Sequence, residues 1–202
     1  MRLMNSLLAP FLAPARRPFT EGDLIELSDG RRVGLAPVDP QDAPAERAFV
    51  NALSLNSRYR RFHFGLRELS PEQSRAMTEI DQQHQVAFVA RPDTEAAIVA
   101  DARYVLRADS ADAEFAIAVA DAWQGVGLGR ELLQRLAAHA RAHGVRHLFG
   151  DVLWGNGPML GLARSLGAQL RRNPGDSTVV RAEFAFDTKD GIALSCAAVP
   201  AP

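Results

Sequence analysis

The sequence predicts a mixed α/β fold, a central mixed β-sheet flanked by helices. Three observations predict it. Short apolar runs bounded by Gly, Pro, Asp or Asn fall into two groups, residues 84–120 and 146–186. Between them, Leu132, Leu133, Leu136, Ala137 and Ala140 repeat at helical spacing. The resulting order is strands, helix, strand, helix, strands. At 202 residues, with 47% hydrophobic and 23% charged, the chain suits one well-filled domain, expected over 23–187. Residues 1–22 read as an N-terminal extension rather than a secretory signal, because Asn5, Ser6 and Pro10 interrupt a short apolar run. Residues 188–202 read as a tail.

Each element has a local reason. Residues 24–27 and 32–38 flank Asp29-Gly30, a favoured turn pair, and form a hairpin. Helical segments follow at 40–53, 57–64 and 70–80. The last opens Ser70-Pro71-Glu72-Gln73, an N-cap, a first-turn proline and an acid. Strands are expected at 84–90, 95–107 and 113–120, the first two joined by Arg91-Pro92-Asp93-Thr94. A helix from near Val126 to His143, a strand at 146–154, a helix at 157–166 and strands at 168–172 and 177–186 complete the chain.

Composition excludes some functions. A net charge of −1 gives no basic surface for nucleic acid. No apolar stretch approaches the about 20 residues that span a membrane. The single cysteine, Cys196, cannot form an intrachain disulfide, which suits a reducing, cytoplasmic setting.

The most informative stretch is Gln124-Gly125-Val126-Gly127-Leu128-Gly129-Arg130. It stands at the start of the long helix, where free backbone N–H groups and the helix dipole favour an anion. Glycines let the backbone approach a bulky phosphate. The same glycines would also serve close strand-to-helix packing. A P-loop is excluded, since Arg130 and Glu131 follow Gly129 instead of Lys and Ser or Thr. The dinucleotide pattern Gly-x-Gly-x-x-Gly also fails, because the third glycine falls one place early.

What remains, Gln-x-x-Gly-x-Gly, resembles the acyl-CoA-binding motif of GNAT acetyltransferases. A strand precedes it; a long helix, a strand, Asn156 and a short helix ending at Gly167 follow it. The resemblance covers residues 31–186 and is strongest over 114–167. A finer likeness, through LSLNSRYRRFHF, LSPEQ and TEIDQQHQVAFVA, is to the GNAT domain of bacterial protein lysine acetyltransferases that modify acyl-CoA synthetases. The resemblance implies a GNAT fold and acetyl-CoA as co-substrate, with no metal. Its pyrophosphate would lie on Gln124, Gly125, Val126, Gly127, Leu128, Gly129 and Arg130. Its pantetheine would run beside Ile117, Ala118 and Val119, with Asn156 bonding its amides. Asn156 suits a helix N-cap equally well.

On the strand at 113–120, Phe115, Ile117 and Val119 share one face and Glu114, Ala116, Ala118 and Ala120 the other. The small face leaves a groove with one acid at its end. Glu114 is the candidate general base, because an ammonium has no lone pair and lysine titrates near about 10.4. Partial burial among alanines would make it a better base. The alternative is a strand-end glutamate in a salt bridge. Asp151 and Glu79 are weaker candidates. The tyrosine that many GNAT enzymes place to protonate the leaving thiolate is missing; its position corresponds to Ala163, with Ser165 nearby.

Other residues are expected to be structural. Arg58, Arg60, Arg61 and Arg67 read as a solvated basic face that alternatively lines an acceptor groove. Phe62 and Phe64 are expected in the core, and Trp123 and Trp154 in packing roles. His139 and His143 have metal-ligand spacing but read as a polar helix face. The expected partners are acetyl-CoA and an amine acceptor, a protein lysine or else a small molecule, in a monomer or homodimer. A non-catalytic acyl-CoA sensor is the rival class.

Overall fold

A computed structural model describes Phe19 and residues 24–173 and 175–186. The expectations for the N-terminal extension, the tail and Cys196 fall outside the described residues. The elements are β1 (Leu24–Glu26), β2 (Arg32–Pro37), α1 (Ala43–Ala52), α2 (Leu55–Phe62), α3 (Pro71–Thr78), β3 (Gln85–Pro92), β4 (Ala100–Leu106), β5 (Asp112–Val119), α4 (Leu128–Ala142), β6 (His147–Leu153), α5 (Gly157–Ser165), β7 (Gln169–Asn173) and β8 (Asp176–Ala185). The strands form one sheet in the order β1-β2-β3-β4-β5-β6-β8-β7. It is mixed: β5 and β6 pair in parallel and the other neighbours pair antiparallel.

Period-two alternation gives the sheet two apolar faces, and each has its own core. Phe115 and Tyr104 on one face pack with Leu128, Leu132, Leu133 and Leu136 of α4. Ala118 and Val89 on the other pack with Phe49, Val50 and Leu53 of α1 and its C-cap. Each of the four α4 leucines is essentially inaccessible to water. Their burial stabilises the fold by about 1.5–3 kcal/mol apiece.

Several boundaries differ from expectation. Arg91 and Pro92, expected in a turn, extend β3 because they pair with Gly34 and Val33 of β2. The second helix runs Leu55–Phe62, since Ser54 caps it. Residues 95–99 are not strand, because the β3–β4 ladder ends at Ala90 opposite Ala100. Residues 93–97 form an exposed connection, and Ile98 and Val99 turn inward to the cores. The long helix starts at Leu128, not Val126. Gly125 and Gly127 are both left-handed, with φ of 78° and 97°, so no right-handed turn can begin before Gly127.

The parallel pair β5–β6 sets up the site. Its register holds only from Asp112 opposite His147 to Glu114 opposite Phe149. Beyond Glu114 the two strands have no ladder, while β5 stays paired with β4 as far as Val119. The Phe115 ring lies against the bare Cα of Gly150; a Cβ there would meet it at 2.8 Å.

Candidate active site

A cleft of about 640 Å³ opens where β5 and β6 separate. Its floor is residues 114–119 of β5, and its walls come from α2, the glycine turn, the start of α5, and Gly150, Asp151 and Val152 of β6. The β5 edge facing β6 has lost its strand partner after Glu114, so its backbone polar groups are open to a ligand.

Most of the expected binding residues meet here. Ile117, Ala118, Val119, Gln124, Gly125, Gly127, Gly129, Arg130 and Asn156 all line the cleft. Val126 and Leu128 do not. Leu128 is fully buried in the core and Val126 packs against it, so each can offer only backbone. The carbonyl of Val126 already accepts bonds from the backbone N–H and hydroxyl of Ser28, both at 3.2 Å.

The glycines divide the work. At Gly125 and Gly127 the backbone is left-handed, and a Cβ would meet nothing within 4 Å. The turn therefore needs glycine for its dihedrals, and it presents open space in front of a helix N-terminus. That fits a bulky phosphate. At Gly129 a Cβ would touch Leu162 at 3.5 Å and Val119 at 3.8 Å. These are ordinary contacts, so packing does not demand a glycine at this third position.

Side chains brace the turn in ways the sequence did not reveal. The Gln124 amide donates to the Val119 carbonyl at 3.0 Å and to the Ser57 hydroxyl at 3.2 Å. The Asp121 carboxylate accepts from Ser54 N–H at 2.9 Å, from the Ser54 hydroxyl at 2.8 Å and from the Ser57 hydroxyl at 2.7 Å. Burial works against the Asp121 charge, yet these bonds hold its carboxyl below the usual range. Together they tie the N-terminus of α2 to the cleft. Arg31 donates to the Ala122 carbonyl at 3.0 Å and stacks over Trp123 at 3.9 Å. Arg130 donates to the Ser165 hydroxyl at 2.8 Å, joining α4 to α5. The Asn156 side-chain oxygen caps α5 by accepting from Met159 N–H at 3.4 Å. Its amide nitrogen stays free for the cleft among the described residues.

Glu114 sits at the end of the open β5 edge. It is exposed, not partly buried, because the small face beside it is open to the cleft where β6 turns away. No hydrogen bond or direct ion pair holds its carboxylate among the described residues, and its nearest basic influence is the Arg181 charge, which is engaged with Asp151. Asp151 lines the same cleft but is occupied: Arg181 grips it through two bonds of 3.0 and 2.9 Å, and Asn173 donates at 3.2 Å. Glu79 follows α3 at its C-cap and is not among the cleft residues.

Several structural expectations need correction. Phe64 is 54% exposed and Trp154 66% exposed, since each stands in a connection beyond its element where no helix covers it. Arg58 and Arg61 are not solvated. Arg58 is buried and bonds the carbonyls of Asn51, Leu53 and Arg67. Arg61 turns inward to Asp101 of β4 at 3.8 Å. Ala163, the tyrosine-equivalent position, is buried and faces the core. His139 is half-buried, held below the usual imidazole range by burial, and its Nδ1 lies 3.0 Å from the Tyr104 hydroxyl. His143 stacks on it at 4.0 Å. Among the described residues, no group of three His, Cys, Asp or Glu could hold a metal, and no helix is long and apolar enough to cross a membrane.

A parallel strand pair that splays beside a glycine turn at a helix N-terminus is the architecture of an acyltransferase cleft, and the family comparison agrees. The acetyltransferase (GNAT) family profile matches residues 66–168, and the chain belongs to that family. It is an acetyl-CoA-dependent acetyltransferase. It is 36% identical to acetyltransferase PA5475 of Pseudomonas aeruginosa over 79% of this chain and 88% of that protein. It is 29% identical to acetyltransferase Pat of Mycolicibacterium smegmatis over 83% of this chain, but spans only 48% of Pat. The GNAT domain of Streptomyces lividans PAT superposes with a TM-score of 0.74 at 29% identity, covering 81% of this chain and 96% of that domain.

Proposed function

We propose that this enzyme transfers acetyl directly to the side-chain amine of a protein lysine, with Glu114 as general base. The observation that carries the base assignment is an exposed, unpaired carboxylate at the end of the open β5 edge, in the same cleft as the glycine turn. The acceptor assignment is supported by the likeness to Pat and to the GNAT domain of PAT. The catalytic unit on this reading is 23–187, working in the cytoplasm.

Backbone N–H groups of Gly125 to Gly129, with Arg130 beside them, would hold the pyrophosphate, and Ile117 to Val119 would bond the pantetheine amides. Bound there, acetyl-CoA supplies a thioester carbonyl at the floor of the cleft. The neutral amine attacks that carbonyl and forms the amide C–N bond. The C–S bond breaks, and Glu114 takes the proton the amine loses. A free N–H of β5 polarises the carbonyl oxygen as charge develops. The thiolate takes its proton from water, because Ala163 offers none.

The test is CoA-thiol release with Glu114→Gln against lysine-bearing proteins and small amines, with acetyl-CoA affinity measured by calorimetry. Turnover should fall by about 10²–10⁴-fold with affinity kept. Undiminished turnover would remove Glu114 from the mechanism. Turnover on small amines alone would replace lysine as the acceptor.

A further inference from the structure

On the α1–α3 side of the sheet, directly beneath the cleft, lies a buried charge cluster that the acetyl-transfer chemistry does not use. Asp101 and Arg103 of β4 form a two-bond pair, with Nε to Oδ1 at 3.1 Å and Nη2 to Oδ2 at 2.6 Å. Arg103 also donates to the Met77 carbonyl at 3.0 Å and lies 3.5 Å from Glu46 of α1. Arg91 of β3 pairs separately with Asp42. Arg61 of α2 completes the cluster, 3.8 Å from Asp101.

The charges do not balance. Both carboxylate oxygens of Glu46 are fully buried without a hydrogen bond. Burial first, and then the neighbouring Asp101 charge, push its carboxyl up to about 8, against the pull of Arg103, Arg61 and Arg91. At neutral pH Glu46 therefore keeps its proton. Asp101 is then the one negative charge left for both Arg103 and Arg61, and Arg103 holds it at bonding distance. Arg61 is left with a surplus charge. Its side chain is only 12% exposed, yet among the described residues its guanidinium makes no hydrogen bond. Its other contact is the Phe62 ring at 4.9 Å. Its unused donors are not sealed in the protein but open onto the cleft, where an entering anion can take them.

Its position says which part of a ligand it meets. Arg61 lines the cleft, as do Ser57 and Arg60. Ser57, one helical turn earlier, bonds Gln124 at the glycine turn. Arg61 thus stands one helical turn, about 6 Å along α2, from the residue that touches the glycine turn. The charges it lies against, Asp101 and Arg103, are the register neighbours of Ala118 and Ala116, between the glycine turn and Glu114. That is the level of an acyl group or of the acceptor's first atoms.

We propose that Arg61 is a carboxylate-binding residue of the cleft, so that the preferred substrate pair carries a free carboxylate. The carboxylate would come from a dicarboxylic acyl thioester or from an amine acceptor that bears its own. A planar guanidinium matches a carboxylate with two parallel bonds. The inference rests on the acyl-CoA reading of the cleft.

The test compares kcat/KM in two arms, with binding by calorimetry in parallel. One arm sets succinyl-CoA against butyryl-CoA with an acceptor lacking a carboxylate. The other sets free amino acids against their carboxamides, with acetyl-CoA. The arm that holds the true source should show a carboxylate preference of about tenfold or more in the wild type. Arg61→Gln should erase it. Arg61→Lys, which keeps the charge and most of the packing, should retain only part, because an ammonium cannot make the paired bonds. The preference should also fade as pH rises through about 8, where an ionised Glu46 balances Arg61. No carboxylate preference in either arm, or equal losses for charged and neutral partners in both variants, would overturn the proposal and leave Arg61 a brace for α2. Failure of every CoA thioester to bind the wild type would instead overturn the acyl-CoA reading, and this inference with it.

Discussion

The glycine turn allows a prediction in which two neighbouring glycines behave oppositely. Gly127 caps α4 at φ 97° and ψ −14°. An alanine there meets no atom within 4 Å, so steric overlap contributes nothing and the left-handed backbone carries the whole cost. That cost is about 1–2 kcal/mol for a residue with a Cβ. In a chain of this size it corresponds to a fall in Tm of roughly 2–8 °C. Gly129 sits in the first turn of α4, with only ordinary contacts waiting for a Cβ. Alanine there should leave Tm unchanged or slightly raised, because alanine is the better helix former. The assay is thermal unfolding of Gly127→Ala, Gly127→Asn and Gly129→Ala, with acetyl-CoA titration of each. Asn tolerates the left-handed region and should recover part of the loss. Acetyl-CoA affinity should fall for Gly127→Ala, whose methyl group enters the space offered to phosphate. If Gly127→Ala melted with the wild type while Gly129→Ala collapsed, the division of roles among the glycines would be wrong.

Three further predictions follow from particular contacts. Asp121→Ala should loosen α2 and cost about 1 kcal/mol at neutral pH. The Asp121 carboxyl is held down in the fold, so its contribution is present above the unfolded value near about 3.9 and lost as pH falls through the folded one; wild-type and variant melting curves should converge in acid. Glu46 is the opposite case. Its carboxyl is raised, so between about 4.5 and about 8 the folded protein keeps a proton that the unfolded chain releases, and wild-type stability should decline as pH rises across that window. Glu46→Gln should flatten the decline in a series of melts by pH; an unchanged slope would show that Glu46 does not cause it. Gly150→Ala forces a Cβ to 2.8 Å from the Phe115 ring and should destabilise by about 1–3 kcal/mol. Adding Phe115→Leu should return part of that in denaturant unfolding, whereas strictly additive losses would refute the contact.

The elements were legible where local chemistry is strong. The N-cap Ser70 with Pro71 behind it, the leucine stripe of α4 and the period-two alternation of β5 all appear in the structure as their spacing implies. Strand limits were less legible, since residues 95–99 have strand-like composition and become a connection only because the β3 register ends at Ala90. The glycine motif was legible because left-handed backbone leaves a compositional trace in Gly125 and Gly127.

The sequence by itself determined most of the strands, the helices and the glycine turn, all properties of residues close together in the chain. Only the tertiary structure decided what the arginines and carboxylates do. Asp151 and Glu114 look alike in the chain, yet Arg181 bonds the first directly and meets the second only as a nearby charge. Asp121 grips α2 across more than sixty positions of chain, through Ser54 and Ser57. Arg61, in a run that reads as a solvated face, is drawn inward by an aspartate forty residues later, beside a glutamate that gives up its charge. Charge pairing depends on distance and desolvation, and both are set by which elements the fold brings together.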